Sequence, residues 1–256
     1  SNSNQGVLDG IKSIVGTSPD FYQADCTDIV AMDRIFSKYD HIDAVIHFAA
    51  SKAVNESVEQ PLKYYRNNLG SLITILELMK KYDVNHIVFS SSCTVYGQPE
   101  AEYLPVSEKA PIKHALSPYG NTKQINEDII RDQVHANSEL RATILRYFNP
   151  IGAHPSAMIG ELPNGVPQNL LPFVTQTAAG VRPELKVFGN DYNTPDGSCI
   201  RDYIYVVDLA KAHVKAVERL LSHLATESVE VFNLGTGRGL SVLEIIHTFM
   251  EVTGID

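Results

Sequence analysis

The chain has 256 residues, 44% apolar and 20% charged, enough for an ample core in one large α/β domain or in a domain with a smaller companion. Its formal net charge of −9 and scattered basic residues argue against a nucleic-acid partner, but an anionic ligand can still be met locally by an arginine or a helix N-terminus. Three cysteines (Cys26, Cys93, Cys199) stand outside any metal-ligand spacing, and neither a membrane-length apolar run nor a signal sequence is visible, so the expectation is a cytoplasmic protein with free thiols, no metal and no membrane partner.

Val7, Leu8, Ile11, Ile14 and Val15 repeat at helical spacing, and Gly16 stops that helix. Phe21 to Ala24 reads as a short strand ending at Asp25-Cys26. Residues 29–39 are amphipathic and helical, and residues 43–48 read as a buried parallel strand. That strand runs into Ala49 and Ala50, small enough to let a ligand backbone approach, while His47 within it reads as a packed histidine. Residues 61–82 form a long helix with Leu62, Tyr65, Leu69, Leu72, Ile73, Leu76 and Met79 on its apolar face.

The next strand, His86 to Ser90, carries Ile87-Val88-Phe89 straight into Ser90, Ser91 and Ser92. Open α/β sheets bind ligands at such carboxyl ends. Ser117 suits an N-cap and Pro118 the first helical position, so a helix should run from there to about residue 135. Tyr119 and Lys123, four apart, share one face of it. The ammonium should favour the phenolate and lower a pKa that starts near ~10, and a strand-end serine can hold the same substrate hydroxyl. The plainer alternative is a packed tyrosine with a solvated lysine.

Residues 141–148 form another buried strand, an amphipathic helix follows Pro172 until Gly180, and Lys186 to Phe188 reads as a short strand. Residues 207–224 are helical, 229–234 a strand, and Ser241 with Glu244 a capping box. Gly235-x-Gly237-x-Gly239 imitates a dinucleotide fingerprint, but its third glycine falls one residue early. It reads as a strand-to-helix turn.

Three stretches carry a resemblance: Ser90-Ser91-Ser92-Cys93-Thr94-Val95-Tyr96-Gly97, Tyr119-Gly120-Asn121-Thr122-Lys123, and Arg146-Tyr147-Phe148-Asn149-Pro150-Ile151-Gly152-Ala153-His154. Together they resemble the extended short-chain dehydrogenase/reductase family, and within it the UDP-sugar 4-epimerases, over essentially the whole chain. The resemblance implies an α/β fold: a Rossmann-like doubly wound parallel sheet with a smaller substrate-binding α/β lobe. It places an NAD-binding domain at residues 1–149 and mainly a UDP-sugar lobe at 150–256, with the strand near 229–234 able to return to the sheet. Against that family the chain reads as a fragment lacking the N-terminal strand with its Gly-rich turn and the C-terminal end. As written it is expected to bind NAD weakly and to be inactive.

By the same resemblance Ser92, Tyr119 and Lys123 are catalytic. Asn2, Asp25, Cys26, Phe48, Ala49, Ala50, Lys52, Asn67 and Phe148, with Tyr119 and Lys123, line NAD. Tyr147, Asn149, Asn169, Leu170, Lys186, Phe188 and Arg201, with Ser92, surround the UDP-sugar. The implied reaction interconverts UDP-glucose and UDP-galactose: Tyr119 takes the proton of the sugar 4-hydroxyl, NAD takes the C4 hydride, and both return after the 4-keto sugar has turned. Homodimerisation through the helices carrying Asn67 and Tyr119 is implied as well. Rival readings are an epimerase of N-acetylated UDP-hexosamines, a sugar-nucleotide dehydratase and a non-catalytic nucleotide sensor. A dehydratase would place an acidic pair where this chain has Ser92-Cys93, and a sensor would lack the helix Tyr or Lys.

Overall fold

The computed structural model describes residues 4–161, 163 and 165–255. α1 (Gly6–Val15) ends at Gly16, whose φ of 83° a side-chain-bearing residue would resist. α2 (Ile29–Phe36) is opened by Asp28, whose carboxylate accepts the N–H groups of Val30 and Ala31. β1 (Val45–His47) leads through α3 (Val54–Glu59) into α4 (Pro61–Lys81), with proline in its first turn. β2 (His86–Ser92) passes directly into a 3₁₀ turn at Cys93–Tyr96. Then come α5 (Pro118–Ala136), β3 (Arg141–Tyr147), β4 (Asn149–Ile151), α6 (Leu170–Ala178), β5 (Ile200–Tyr205) and α7 (Val206–Leu221). β6 (Val229–Leu234), β7 (Gly239–Ser241) and α8 (Val242–Thr253) complete the order, and both halves of the expected Ser241/Glu244 capping box open α8.

These elements form two compact units. The larger comprises Phe21–Tyr147 and Ala210–Leu234. Its sheet runs β1-β2-β3-β6, every neighbouring pair parallel, with Ser92 in register with Tyr147 and Ser91 with Arg146. Because side chains alternate along a strand, the two faces bury different residues. Ile87, Phe89, Ala142 and Ile144 pack with α2, α4 and α5 residues such as Phe36, Leu72, Ile75 and Ile130. Val88 and Leu145 point the other way, against Ala216 and Leu220 of α7. Helices on both faces are what let the strands be near-continuous apolar runs, and they make the arrangement Rossmann-like. Phe89 is fully buried, so Phe89→Ala would cost about 3–5 kcal/mol.

The smaller unit comprises residues up to Asp20, Phe148–Leu209 and residues from Gly235 on. β4 lies parallel to β5, and β5 antiparallel to β7. The segment before Phe21 groups with this unit, the larger one ends its first stretch at Tyr147, and β6 pairs with β3 there, a return to the sheet that the sequence leaves open.

Two expected strands are corrected. Phe21 to Ala24 and Lys186 to Phe188 belong to no strand and join no ladder. Both have β-favouring residues, yet a strand exists only where a neighbour pairs with its backbone, and among the described residues none does. β2 also continues through Ser92, two residues past its expected end, because β3 stays paired with it to Tyr147.

Candidate active site

The site is built at the carboxyl end of β2 by the start of α5. Ser117 caps α5 by accepting the Gly120 N–H at 3.1 Å. Gly120 has a steric reason to be glycine: a Cβ there would lie 3.2–3.3 Å from Ala115 and Thr94. The missing side chain lets the first turn of α5 press against the 3₁₀ turn that follows Ser92. Ser92 caps that turn, its hydroxyl accepting the Thr94 N–H at 3.2 Å. The three residues expected to act together are therefore brought together: Ser92 lies close enough to Tyr119 to ease its ionisation. The Lys123 ammonium sits 6.0 Å from the Tyr119 ring centre and 4.9 Å from that of Phe89.

One electrostatic expectation is corrected. Burial raises the Tyr119 phenol well above its ordinary value, and this outweighs the easing by Ser92. Lys123 donates instead to the Ser90 carbonyl at 2.6 Å, and its own pKa is pushed down to about 8 by burial, with Glu127 pulling it back up. The buried lysine is held by backbone, not by the phenol.

Asn2 lies outside the described residues. Asp25 is exposed, and its carboxylate accepts both the N–H and the hydroxyl of Thr27 at 2.8 Å, which lower its pKa. Burial, then the charge of Asp25, raises the neighbouring Cys26 thiol. At the end of β1, Phe48 is 56% exposed, with its inner face on the buried His213 ring at 4.6 Å between centres. Ala49 and Ala50 are half-buried and Lys52 exposed. Asn67 bonds the Ser51 hydroxyl at 3.3 Å and the Asn68 side chain at 3.0 Å. Asn68, fully buried, grips both the N–H and the carbonyl of Ser51 and reaches Thr122 on α5 at 3.0 Å. Small side chains, one open aromatic face and an adjacent ammonium fit the nicotinamide end of a dinucleotide.

Tyr147 is half-buried in the larger unit, its phenol raised chiefly by burial. The other candidate ligand residues lie in the smaller unit. Asn149 donates to the Asp202 carbonyl at 3.1 Å, and Arg201, exposed, donates to the Ile200 carbonyl at 2.7 Å. Asn169 donates to Glu161 at 2.5 Å and Lys186 pairs with Glu184 at 3.0 Å, all exposed. Leu170 is half-buried at the start of α6, and Phe188 is 82% exposed. Phe148 is half-buried, its ring edge 2.8 Å from where a Cβ on Gly235 would stand.

The Gly235 loop is a turn, but it joins β6 to β7 and not a strand to a helix, because residues 239–241 pair with β5 before α8 begins. The loop's anion-binding N–H groups already hold an internal carboxylate: Asp202 accepts the Thr236 N–H at 2.9 Å, the Thr236 hydroxyl at 2.8 Å and the Gly237 N–H at 2.8 Å.

Sequence reasoning passed over Asn68, Glu127, Arg146, Asp202 and His213. Arg146 binds Glu127 through two hydrogen bonds, and the His213 Nε2 lies 3.3 Å from the Ser90 hydroxyl. Two of these carried a signal. Glu127 continues the Tyr119/Lys123 face at the same four-residue step, and Arg146 is a charge inside an apolar strand. Among the described residues no cluster of His, Cys, Asp and Glu could hold a metal ion, and no helix is long and apolar enough to cross a membrane.

Comparison with known proteins bears on all of this. Residues 1–235 match the model of the NAD dependent epimerase/dehydratase family. The chain is 52% identical over 254 residues to a UDP-glucose 4-epimerase of Bacillus subtilis (strain 168), covering 99% of this chain and 73% of that one. Among solved structures it is similar to a UDP-glucose 4-epimerase from Bifidobacterium longum in complex with NAD+ and UDP, with TM-score 0.93, 46% identity and coverage of 99% of this chain and 74% of that chain. It is also similar to a UDP-glucose-4-epimerase from Stenotrophomonas maltophila with bound NAD and formylated UDP-arabinopyranose, with TM-score 0.92, 46% identity and the same coverage.

Proposed function

The chain belongs to the NAD dependent epimerase/dehydratase family, and from that premise we propose that it interconverts UDP-glucose and UDP-galactose with NAD as its cofactor. The observation that carries this reading is the meeting of Ser92, Tyr119 and Lys123 at one strand end, in a chain so similar to UDP-glucose 4-epimerases. NAD, when bound, supplies a hydride acceptor and donor for the sugar C4. Phe48, Ala49, Ala50 and Asn67 flank its nicotinamide end, Asp25 and Cys26 its adenine end, and Lys123 anchors it from α5.

Tyr119 is the base: it takes the proton of the 4-hydroxyl as the 4-keto sugar forms and returns it when C4 is reduced. Ser92 holds the same oxygen throughout. Lys123 faces the phenol, so its charge would favour the phenolate once the site is filled, and a second positive charge at the nicotinamide would act in the same direction. In the smaller unit, Asn149, Asn169, Arg201 and Phe188 hold the uridine diphosphate end and leave the hexose free to turn. A fixed nucleotide and a mobile sugar are what epimerisation at one carbon requires. The setting is cytoplasmic, and the active form is a homodimer through α4 and α5.

Incubating the full-length protein with NAD and either UDP-galactose or UDP-GalNAc, and resolving the products by chromatography, tests the reading. UDP-galactose should equilibrate with UDP-glucose without net NADH. Stoichiometric NADH or a dehydrated sugar would replace it with a dehydrogenase or a dehydratase.

A further inference from the structure

Behind the site lies a buried charge cluster that the proposed reaction does not use. Glu127 stands one turn beyond Lys123 on α5, and each is no more than 3% exposed. Arg146 on β3, 2% exposed, donates to Glu127 from Nε at 2.9 Å and Nη2 at 2.6 Å, and the Ser91 hydroxyl adds a third bond at 2.6 Å. Nη1 of Arg146 reaches the Tyr96 hydroxyl at 3.0 Å, which in turn donates to Asn233 at 2.6 Å. A buried ion pair of this kind adds little net stability, since apolar residues of similar volume often serve as well. Its place next to Lys123 offers a different account. The lysine ammonium is buried with one hydrogen bond, to the Ser90 carbonyl, and the Glu127 carboxylate is the charge that favours it.

We infer that Glu127, fixed in place by Arg146 and Ser91, is a positioning residue whose carboxylate keeps Lys123 an ammonium facing Tyr119. Without it, Lys123 would have the Ser90 carbonyl but no opposing charge to set against the cost of its burial. This inference rests on the roles proposed above for Tyr119 and Lys123.

The other ionisable groups around the corner do not supply the same field. His47 on β1 is buried, and burial followed by the Lys123 charge holds its pKa near 4, so it is neutral at working pH. Tyr64 on α4 and Tyr147 on β3 are phenols raised by burial, and so is Tyr96 in the 3₁₀ turn. Cys93 adjoins Tyr119, His213 on α7 faces Ser90, and Arg131 approaches Glu127 only from the surface, at 3.8 Å.

The test is the titration of Lys123 itself, followed by the ¹³Cε shift in the folded protein and assigned with Lys123→Met. The wild-type midpoint should lie near 8. Glu127→Gln should lower it by about 1 pH unit, as expected when an opposite charge one helical turn away is removed. Arg146→Gln should raise it, because Glu127 then acts unopposed. The alkaline limb of turnover should move with each midpoint, since activity is lost as the ammonium deprotonates. A structural role would lower turnover in both variants without opposed shifts. Either variant decides the sign if the other fails to fold, and Glu127→Asp, which keeps the charge but draws it back, should fall between wild type and Glu127→Gln. A midpoint that stays put, or moves the same way in both, overturns the inference. Opposed shifts with no turnover of UDP-galactose at any pH would uphold it and overturn the epimerase reading.

Discussion

The two units hold their candidate functional residues in opposite ways. In the larger one, Ser92 and Lys123 are buried, and Lys123, Asn67 and Phe48 each rest on an interior partner: the Ser90 carbonyl, Asn68 and His213. In the smaller one, Asn169, Lys186, Phe188 and Arg201 are exposed, and Asn169, Lys186 and Arg201 bond to nearby residues of the same surface. Proton transfer needs groups fixed to within fractions of an ångström before the substrate arrives. Nucleotide binding tolerates side chains that settle as it arrives, and loses some ordering entropy for it. The difference is the one that the proposed roles require, catalysis from the first set and affinity from the second.

The sharpest break in that comparison lies in the rigid set. Tyr119→Phe removes the proton acceptor and little volume, so turnover should fall by about 10²–10⁴-fold, the range of a lost general base. UDP-sugar affinity, read by calorimetry, should stay near wild type. Ser92→Ala should fall less far, because Tyr119 can still take the proton. Near-normal turnover of Tyr119→Phe would mean that the base lies elsewhere.

Asp202 is where the smaller unit borrows the logic of the larger. Its carboxylate gathers the Thr236 and Gly237 N–H groups, while its neighbours in sequence and space are Arg201 and Asn149. Asp202→Ala would hand those exposed donors to water, at a net cost of about 1 kcal/mol of stability. It would also loosen the end of β5 that carries Arg201. The expected signature is a KM for UDP-galactose raised roughly tenfold with kcat little changed, the pattern of lost uniform binding. An equal fall in kcat would place Asp202 with the catalytic set.

The same contrast explains what could be read from the sequence. Tyr119, Lys123 and Ser92 were legible because helical spacing and strand ends are local rules. By that same rule Glu127 stood in plain view, four residues on. Asn68 and His213 were not, since the contacts that give them meaning span 54 residues to Thr122 and 123 to Ser90. Only the folded sheet brings those partners into reach. The strands expected at residues 21–24 and 186–188 failed for the complementary reason: local β preference was present and a pairing neighbour was not. Gly235-x-Gly237-x-Gly239 was correctly set aside by its spacing, yet its real occupant, the carboxylate of Asp202, is 34 residues from the Thr236 N–H it accepts.

The smallest effect should come from Lys186. Its ammonium meets Glu184 at 3.0 Å, with both side chains more than 60% exposed. Such pairs contribute about 0–1 kcal/mol and are screened by salt, so Lys186→Ala should leave the thermal midpoint almost unmoved. If Lys186 contacts the uridine diphosphate, the same substitution should raise the KM for UDP-galactose a few-fold, more at low ionic strength than at high, with kcat unchanged. That combination belongs to a flexible charge that engages only when a phosphate or a uridine is present. A fall in thermal midpoint as large as that of Asp202→Ala would show that Lys186 is part of the framework, and that the smaller unit is no less preorganised than the larger.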